Sequence, residues 1–484
     1  MIKNKFNKFS LLFILMIFLF NIYFPITSNA KVTGNTSKID SKTIFSSEYS
    51  FTPKFIKNIT TTQSSGMTNY SADYSCPGSD SLNPNTYYTA RLTSKSQKGK
   101  IWVRYNNVGT YNGQIIDLKI TLIGWNYLQP ANTSASSELG GVNYPTAIFS
   151  KNSISIGVSS IPAIDSPNWA FTFYINNTNN IIPMKSHITF KDLDGSTTGG
   201  NEKIIFNSGI EHAYISQNSM LTINSNECVN STTQSTSSAD SNAWVTCLNN
   251  NSVINFTYTR DKDIQGNTFR NITKTASSES RVFYSYSVGS ESVAPFEFTV
   301  PKKNCNTSQL RGLEEATYTI SQFIPGESSN FYYNSYCLMD EIPDCFDIVN
   351  VFVTDDSKQN RNSWFTTLIN NNLVTITANS SILKNTNFYN NNFYFNIIVA
   401  KKSDNFISSW FNNQNYFEAT NTAKIEINAP SLSGIREKTL FTNTVNTNIQ
   451  KEFILPKTGA NGDFIYTSIG IILISIYFIY KRRL

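Results

Sequence analysis

Short runs in which apolar and polar side chains alternate recur along most of the chain, separated by turns rich in Asn, Gly and Ser. Residues 101–105, 116–122, 169–175 and 393–399 are such runs, and they are rich in β-branched and aromatic side chains. Successive side chains of a strand point to opposite sides, so this alternation predicts strands with one buried face. No long stretch has the 3.6-residue period of an amphipathic helix. The pattern therefore predicts an all-β protein.

A continuous apolar run near the N-terminus breaks this alternation. Three lysines within the first eight residues precede the apolar run 11–20, and Ser28-Asn29-Ala30 follows it. A positive start, a short apolar core and small residues at the last and third-last positions are features of a secretory signal peptide. We expect residues 1–30 to be a signal peptide that is cleaved after Ala30.

A second apolar run, residues 464–480, lies between the pentapeptide Leu455-Pro456-Lys457-Thr458-Gly459 and a basic tail, residues 481–484. The run is just long enough to cross a hydrocarbon core as a transmembrane helix, and the tail favours a cytoplasmic end. This order of segments resembles the LPXTG cell-wall sorting signal of Gram-positive surface proteins. The resemblance implies a sortase as partner, which cuts after Thr458 and joins that residue to peptidoglycan. An ordinary single-pass anchor is the alternative.

The two sorting segments also carry most of the apparent basicity. The whole chain has 39 basic and 33 acidic residues, and these segments hold six of the basic residues and Asp463. The exported part, residues 31–458, therefore has a net charge of only +1. A near-neutral chain gives no reason to expect nucleic acid as a partner, and contact with the membrane is expected only transiently, before sorting.

The exported part is too long for one hydrophobic core, so two tandem β-sandwich domains, Ig-like or jelly-roll-like, are expected. A loose N-terminal arm is predicted over residues 31–55, and the first sandwich, which would face a ligand, over 56–297. The second sandwich is predicted over 298–445, and a short spacer, 446–454, leads to the sorting motif.

Four stretches of the second domain carry a resemblance to a family. They are Pro301-Lys302-Lys303, the strand-like segment 316–325, the aromatic segment 331–340 and Thr442-Asn443-Thr444-Val445. In this order they resemble the Lys–Asn isopeptide-forming domains of Gram-positive pilins and adhesins, called fimbrial D2 domains. The resemblance implies a covalent crosslink between the first and last strands of the domain.

The crosslinking chemistry needs a neutral lysine, a polarised carboxamide and a protonated carboxyl group. Matching the family assigns Asp340 as the acid and Asn443 as the acceptor. Lys303 is the expected nucleophile, because it shares strand parity with the apolar Cys305. Lys302 remains an alternative nucleophile, since Pro301 interrupts the strand and makes its parity uncertain.

Lys302 has a second interpretation. Val300-Pro301-Lys302 loosely resembles the lysine motif through which pilus backbone subunits are polymerised, although the usual aromatic residue before the proline is missing. No convincing acidic pilin box accompanies it. A pilus subunit polymerised through Lys302 is therefore an alternative to a surface monomer.

The first domain contains no ligand-specific motif. Residues 102–113 and 116–121 resemble the N-terminal domain that precedes D2-type domains in clostridial and bacillar surface proteins. Because the C-terminus would be fixed to the wall, this domain is expected to be the distal, ligand-facing one. A host matrix protein, a glycan or no ligand at all remain open. The two histidines, His187 and His212, are isolated, and nothing resembles a catalytic triad or a glycosidase carboxylate pair. An enzyme is not expected beyond autocatalytic crosslinking. A wall-anchored hydrolase with an unrecognised site is the alternative.

Neither a metal nor a cofactor is expected. Asp192, Asp194 and Glu202 invite a calcium interpretation, but a calcium loop needs more oxygen ligands at regular spacing, so a polar hairpin tip is preferred. Disulfides are allowed in an exported protein. The local pairs that could form them are Cys228 with Cys247 and Cys337 with Cys345.

Overall fold

The computed structural model describes residues 36–66, 68–69, 87–92, 94–127, 146–160, 164–193, 195, 201–230, 239–260, 282–312, 314–411, 414–452 and 481. Over these residues the chain forms several antiparallel sheets packed as β-sandwich domains, which confirms the predicted all-β class. The signal peptide, the sorting motif and the run 464–480 lie outside them. Among the described residues, no helix has the length and apolar character needed to cross a membrane.

The N-terminal part of the chain folds into two large sheets. Its strands β1 to β18 are Thr36–Lys38, Thr61–Ser65, Thr68–Asn69, Tyr87–Arg91, Ile101–Asn106, Thr110–Tyr111, Gln114–Tyr127, Thr146–Ser150, Ser155–Ser160, Ile164–Ile175, Met184–Phe190, Glu202–Ser208, His212–Ile215, Leu221–Asn224, Glu227–Asn230, Val245–Asn251, Val253–Arg260 and Val282–Gly289. One sheet has the order β1-β13-β16-β11-β18-β9-β8-β4-β3. The other has the order β14-β15-β12-β17-β10-β7-β5-β2, and β6 pairs with β7.

Alternation along the long strands builds the core between these sheets. Trp169, Phe171 and Phe173 on β10 are fully buried. Across the core, the Phe171 ring lies 6.3 Å from the ring of Phe190 on β11, which belongs to the opposite sheet. Burial of each such side chain contributes about 1.5–3 kcal/mol to the free energy of folding. The inward-facing side chains that this alternation places on each strand therefore pack the two sheets into one sandwich.

The C-terminal part contains three smaller sheets. Its strands β19 to β30 are Lys302–Cys305, Gln309–Leu310, Glu315–Ile324, Ser335–Glu341, Phe346–Asp355, Phe365–Asn370, Leu373–Ala378, Asn391–Lys401, Tyr416–Asn421, Ala423–Ser431, Gly434–Phe441 and Val445–Gln450. The sheet orders are β19-β21-β26-β23, β20-β30-β27 and β24-β25-β22-β28-β29. One α-helical turn, Ser380–Leu383, lies in this part. Short 3₁₀ turns of the described chain are Ser47–Tyr49, Lys95–Gln97, Ser241–Ala243, Ser329–Phe331, Asn362–Trp364, Thr386–Phe388 and Ser408–Phe411.

The segment expected to be a loose N-terminal arm is packed from Thr36 onwards. Strand β1 pairs in parallel with β13. Further along, the buried Phe45 lies with its ring 5.4 Å from the ring of Phe296, and its N–H donates to the carbonyl of Pro295 at 2.8 Å. The apolar residues Ile39 and Phe45 are the physical reason, because they find buried positions against the connection between the two domains.

The second domain also contacts the connection between the two domains. Arg436 on β29 donates to Glu327 Oε1 at 2.6 Å and to the Phe296 carbonyl, and its guanidinium lies 4.6 Å from the Phe298 ring. Gly326 packs directly on the carbonyl of Ser290, where a Cβ atom would overlap that oxygen. The two domains are therefore joined by a closely packed connection.

Candidate functional site

Lys303 and Asp340 meet inside the second domain. On β19, Lys302 is exposed and Lys303 is buried, so the alternation turns only Lys303 into the core. Its Nζ lies 2.7 Å from Asp340 Oδ1 and 2.6 Å from Oδ2, and both side chains are completely shielded from solvent. Asp340 belongs to β22, in the sheet that faces β19 and β21 across the core. The structure therefore brings together the expected nucleophile and acid, and it separates Lys302 from them.

Burial shifts both groups toward their neutral forms. Desolvation lowers the pKa of the Lys303 amine to about 8, although the nearby Asp340 opposes this shift. Desolvation likewise raises the pKa of the Asp340 carboxyl, against the effect of Lys303. The Tyr318 ring, with its centroid 5.0 Å from Nζ, closes the site on one side. Both shifts reduce the free-energy cost of passing a proton from lysine to aspartate, a transfer that leaves a nucleophilic amine beside a carboxylic acid.

Asn443 does not occupy the position expected of it. Its side chain is exposed, its Oδ1 accepts from the backbone N–H of Lys303 at 2.9 Å, and its Nδ2 donates to the Lys303 carbonyl at 2.8 Å. The carboxamide thus pairs with the backbone of Lys303 and not with its amine. Both polar atoms of its carboxamide are engaged outside the core, and this placement argues against Asn443 as the acceptor.

Asn421, at the end of β27, is the carboxamide that reaches the buried pair. Its side chain is only 2% exposed, and neither Nδ2 nor Oδ1 has a hydrogen bond of ordinary geometry. The amide lies beside Asp340 and, with Lys303, opposes the burial-induced rise of the pKa of that carboxyl.

The strand register explains how Asn421 arrives there. Asn421 pairs with Val445 on β30, and two residues later Ala423 pairs with Asp340. Ala419 and Ala423 share its inward parity and are also buried. An asparagine between two small inward-facing residues is a signal that the sequence did contain, and it was missed in favour of the family-like stretch around Asn443.

The cysteine pairs are placed differently. Cys228 on β15 and Cys247 on β16 are buried in the same core from opposite sheets, and burial raises the pKa of both thiols. Cys337 takes a hydrogen bond from Thr377 at 3.5 Å on the outer face of its sheet, whereas Cys345 is fully buried. All four are free thiols in the structure. The structure therefore places Cys228 and Cys247 in one core, and it places Cys337 and Cys345 in different surroundings.

The remaining candidate residues do not assemble into one site. Glu202 points into the first core, where Tyr258 donates a hydrogen bond to it, and Asp194 lies outside the described residues. His187 contacts the carbonyls of Tyr49 and Ser290, and His212 contacts Ser37 Oγ at 2.9 Å. Over the described part of the chain, no group of three or more potential ligands could hold a metal ion.

Comparisons with known proteins found no matching family model and no matching curated protein. Among solved structures, the chain is similar to the N-terminal domain of the Streptococcus gordonii adhesin Sgo0707, with a TM-score of 0.38, 13% identity, and coverage of 86% of this chain and 99% of that one. It is similar to domains D2 and D3 of the major pilin SpaD from Corynebacterium diphtheriae, with a TM-score of 0.25, 19% identity, and coverage of 30% and 51%. It is also similar to BcpA, the major pilin subunit of Bacillus cereus, with a TM-score of 0.25, 15% identity, and coverage of 54% of this chain and 69% of that one. The chain thus resembles adhesin and pilin domains, and at these scores the likeness carries no argument about the site.

Proposed function

We propose that this chain is a surface adhesin or structural surface protein, anchored to peptidoglycan by a sortase and stabilised by an intramolecular isopeptide bond between Lys303 and Asn421. The observation that carries the proposal is the solvent-free contact of Lys303 with Asp340, beside the buried carboxamide of Asn421. A hydrolase would need a site open to substrate, whereas these groups are sealed inside a core. Their chemistry therefore acts on the chain itself.

The bond forms in a sequence that conserves atoms and charge. Lys303 Nζ transfers a proton to Asp340 and attacks the Asn421 side-chain carbonyl carbon. The protonated Asp340 donates a hydrogen bond to the carbonyl oxygen and so stabilises the charge that develops there. Asp340 then gives its proton to the Asn421 nitrogen and takes the second proton from the attacking Lys303 nitrogen. The C–N bond of the Asn421 carboxamide breaks, ammonia leaves, and an amide joins the two side chains. Asp340 acts as a proton shuttle, and no external reagent is consumed.

The first testable prediction concerns the mass of the chain. The intact mass of the exported chain, residues 31–458, should be lower than the sequence mass by one ammonia. Asn421→Ala should restore the full mass, because it removes the carbonyl carbon that the amine attacks. Asp340→Ala should block the reaction as well, because it removes the proton shuttle.

Asn443→Ala is the matched control for this experiment. It removes the same side chain from a position on the backbone side of Lys303, so the ammonia should still be lost. Loss of the crosslink in Asn443→Ala together with its retention in Asn421→Ala would refute our assignment. An unmodified mass in the native chain would refute the bond itself.

A further inference from the structure

A cleft lies between the two domains. Its volume is about 390 Å³, which is within the range typical of small-molecule sites, and such sites favour domain interfaces. The first domain contributes the segment from Phe51 to Asn58 and the turn around Gly109. The second domain contributes the turns around Asp356 and Asn390. Neither domain could form this cleft alone.

Lys54 is a cation in the wall of this cleft without a paired anion. Its Nζ donates to the backbone carbonyl of Asn390 at 3.1 Å. Among the described residues, no carboxylate lies within ion-pair distance of it. Burial lowers the pKa of the amine, and Asp356 and Asp355 only partly oppose this from a distance. An acceptor that entered the cleft would find N–H donors of Lys54 that the protein does not use.

The acidic residues of the cleft are already engaged within the second domain. Asp355 accepts from Arg361 Nε at 2.7 Å, and Asp356 accepts from Asn392 and from the Tyr394 hydroxyl at 3.1 Å. Asp355 is ion-paired with Arg361, whereas Asp356 is hydrogen-bonded only to neutral groups and keeps its charge. Neither carboxylate lies within ion-pair distance of Lys54. With Lys54, Lys57 and Arg361 against Asp355 and Asp356, the lining has a formal net charge of +1.

The rest of the lining suits a ligand with a ring and hydroxyl groups. Trp364 is half-buried and borders the cleft, with the Arg361 guanidinium 4.3 Å from its ring. Carboxamide and hydroxyl groups of Asn387, Asn391 and Ser357 also face it. Carboxamides and hydroxyls can pair with several sugar hydroxyls, and an aromatic side chain packs on the apolar face of a sugar ring. A peptide would instead need an extended groove or a free strand edge.

We propose that this inter-domain cleft binds a sugar that carries a carboxylate group, with the carboxylate on the Lys54 amine. This inference deepens the adhesive role proposed above by naming a ligand class, and it does not depend on the isopeptide bond. The hydroxyl groups would pair with the carboxamides of the second domain. Binding then holds both domains, since the cation comes from the first domain and most of the polar lining from the second.

The test uses methyl β-glucuronide and methyl β-glucoside, which differ in the carboxylate. Both are titrated into the exported chain, residues 31–458, and followed by isothermal calorimetry and NMR. The glucuronide should bind at least about tenfold more tightly than the glucoside, because the neutral sugar leaves Lys54 unpaired. Lys54→Gln should remove this preference. Lys384→Gln, which changes an exposed lysine outside the cleft, should leave it intact.

A second variant guards against a folding defect in Lys54→Gln. Asn387 is exposed, so Asn387→Asp keeps the size of the side chain and should preserve the melting temperature while it weakens glucuronide binding by charge repulsion. Equal affinity for both sugars, unchanged binding in both cleft variants, or tighter binding of a glutamate-rich peptide would overturn the proposal. Binding of neither sugar would overturn it too. Adhesion of cells that carry the protein is measured separately, and it tests the proposed adhesive function independently of this cleft.

Discussion

Lys303 and Asp340 share their protons, and this sets the pH range in which the crosslink can form. The neutral pair that reacts holds as many protons as the ion pair, so the two differ only in where one proton lies. The reaction rate should therefore not depend on pH as long as the pair keeps that proton. The proton is lost when the pH rises through the lowered pKa of Lys303, about 8.

The rate of crosslinking should therefore fall above about pH 8. There the amine is neutral but Asp340 is ionised, so no acid remains to protonate the leaving nitrogen. The chain can be made in a cell-free system, kept in urea before it folds, and diluted into buffers of different pH. Mass spectrometry then gives the crosslinked fraction against time. A rate that keeps rising well above this pH would show that Asp340 is not the proton shuttle.

The sequence predicts Lys303 and Asp340, two of the three residues of the proposed crosslinking site. Parity with Cys305 predicts Lys303 over Lys302, and the structure buries Lys303. The buried positions change from even numbers at Phe296 and Phe298 to odd numbers at Pro301 and Lys303, so parity is informative only when it is taken from the C-terminal side of Pro301. Asn443 was chosen by likeness to a family stretch. Which asparagine meets Asp340 depends on how β27, β28 and β30 align, and long-range register is not contained in any one strand.

At the level of elements, β29 holds the connection between the domains through one side chain. Burial raises the pKa of Glu327 to about 7, while Arg436 opposes the rise. Removal of Arg436 would leave this buried carboxyl without an ion pair among the described residues. Breaking a buried pair from one side costs about 3–5 kcal/mol, more than an exposed pair can contribute.

Arg436→Met should therefore lower the free energy of unfolding of the second domain by about 3–5 kcal/mol near pH 8. The loss should be smaller near pH 5, because a carboxyl whose folded pKa is raised is already protonated there and leaves no buried charge. Urea unfolding at the two pH values measures both effects.

The control for this prediction lies on the same strand. Lys438 is exposed and has no ion pair among the described residues, so Lys438→Met should change the stability by less than about 1 kcal/mol. An equal loss in both variants would mean that β29 itself, and not the Arg436–Glu327 contact, is sensitive to substitution.

The N-terminal segment shows that composition alone does not predict whether an element packs against the rest of the fold. Polar residues outnumber apolar ones between 31 and 55, which is typical of a loose arm. Only a few side chains decide the outcome: Ile39 and Phe45 lie in the cluster around Phe296, and β1 has a strand edge to pair with. Composition averages over such anchors, so it cannot show that the segment packs.

For the whole molecule, the sorting signal predicts how the protein is released from cells. Digestion of the wall should liberate a chain that ends at Thr458, because a sortase would cut before Gly459. Peptide mapping of the digest identifies this end. Release of the intact C-terminus by detergent alone would point to a membrane anchor instead.

The exposed position of Lys302 separates a surface monomer from a pilus subunit. We expect wall extracts boiled in denaturant to show one discrete band, since the pilin motif around Lys302 is incomplete. Its side chain is nevertheless free to react with another molecule. A ladder of high-mass species that disappears in Lys302→Ala, while the Lys303–Asn421 link persists, would make this chain a pilus subunit.

The position of the crosslink also determines how the molecule would stretch under tension. A pull between a ligand on the first domain and the wall would pass from Lys303 directly to Asn421. Residues 304–420 would then carry no tension and could not extend. On the C-terminal side of the crosslink, residues 422–452 form β28, β29 and β30 and could still unravel, to a contour length on the order of 100 Å at about 3.4 Å per residue. The domain would act as a tether with a short, fixed extension, which returns to its original length when the tension is released.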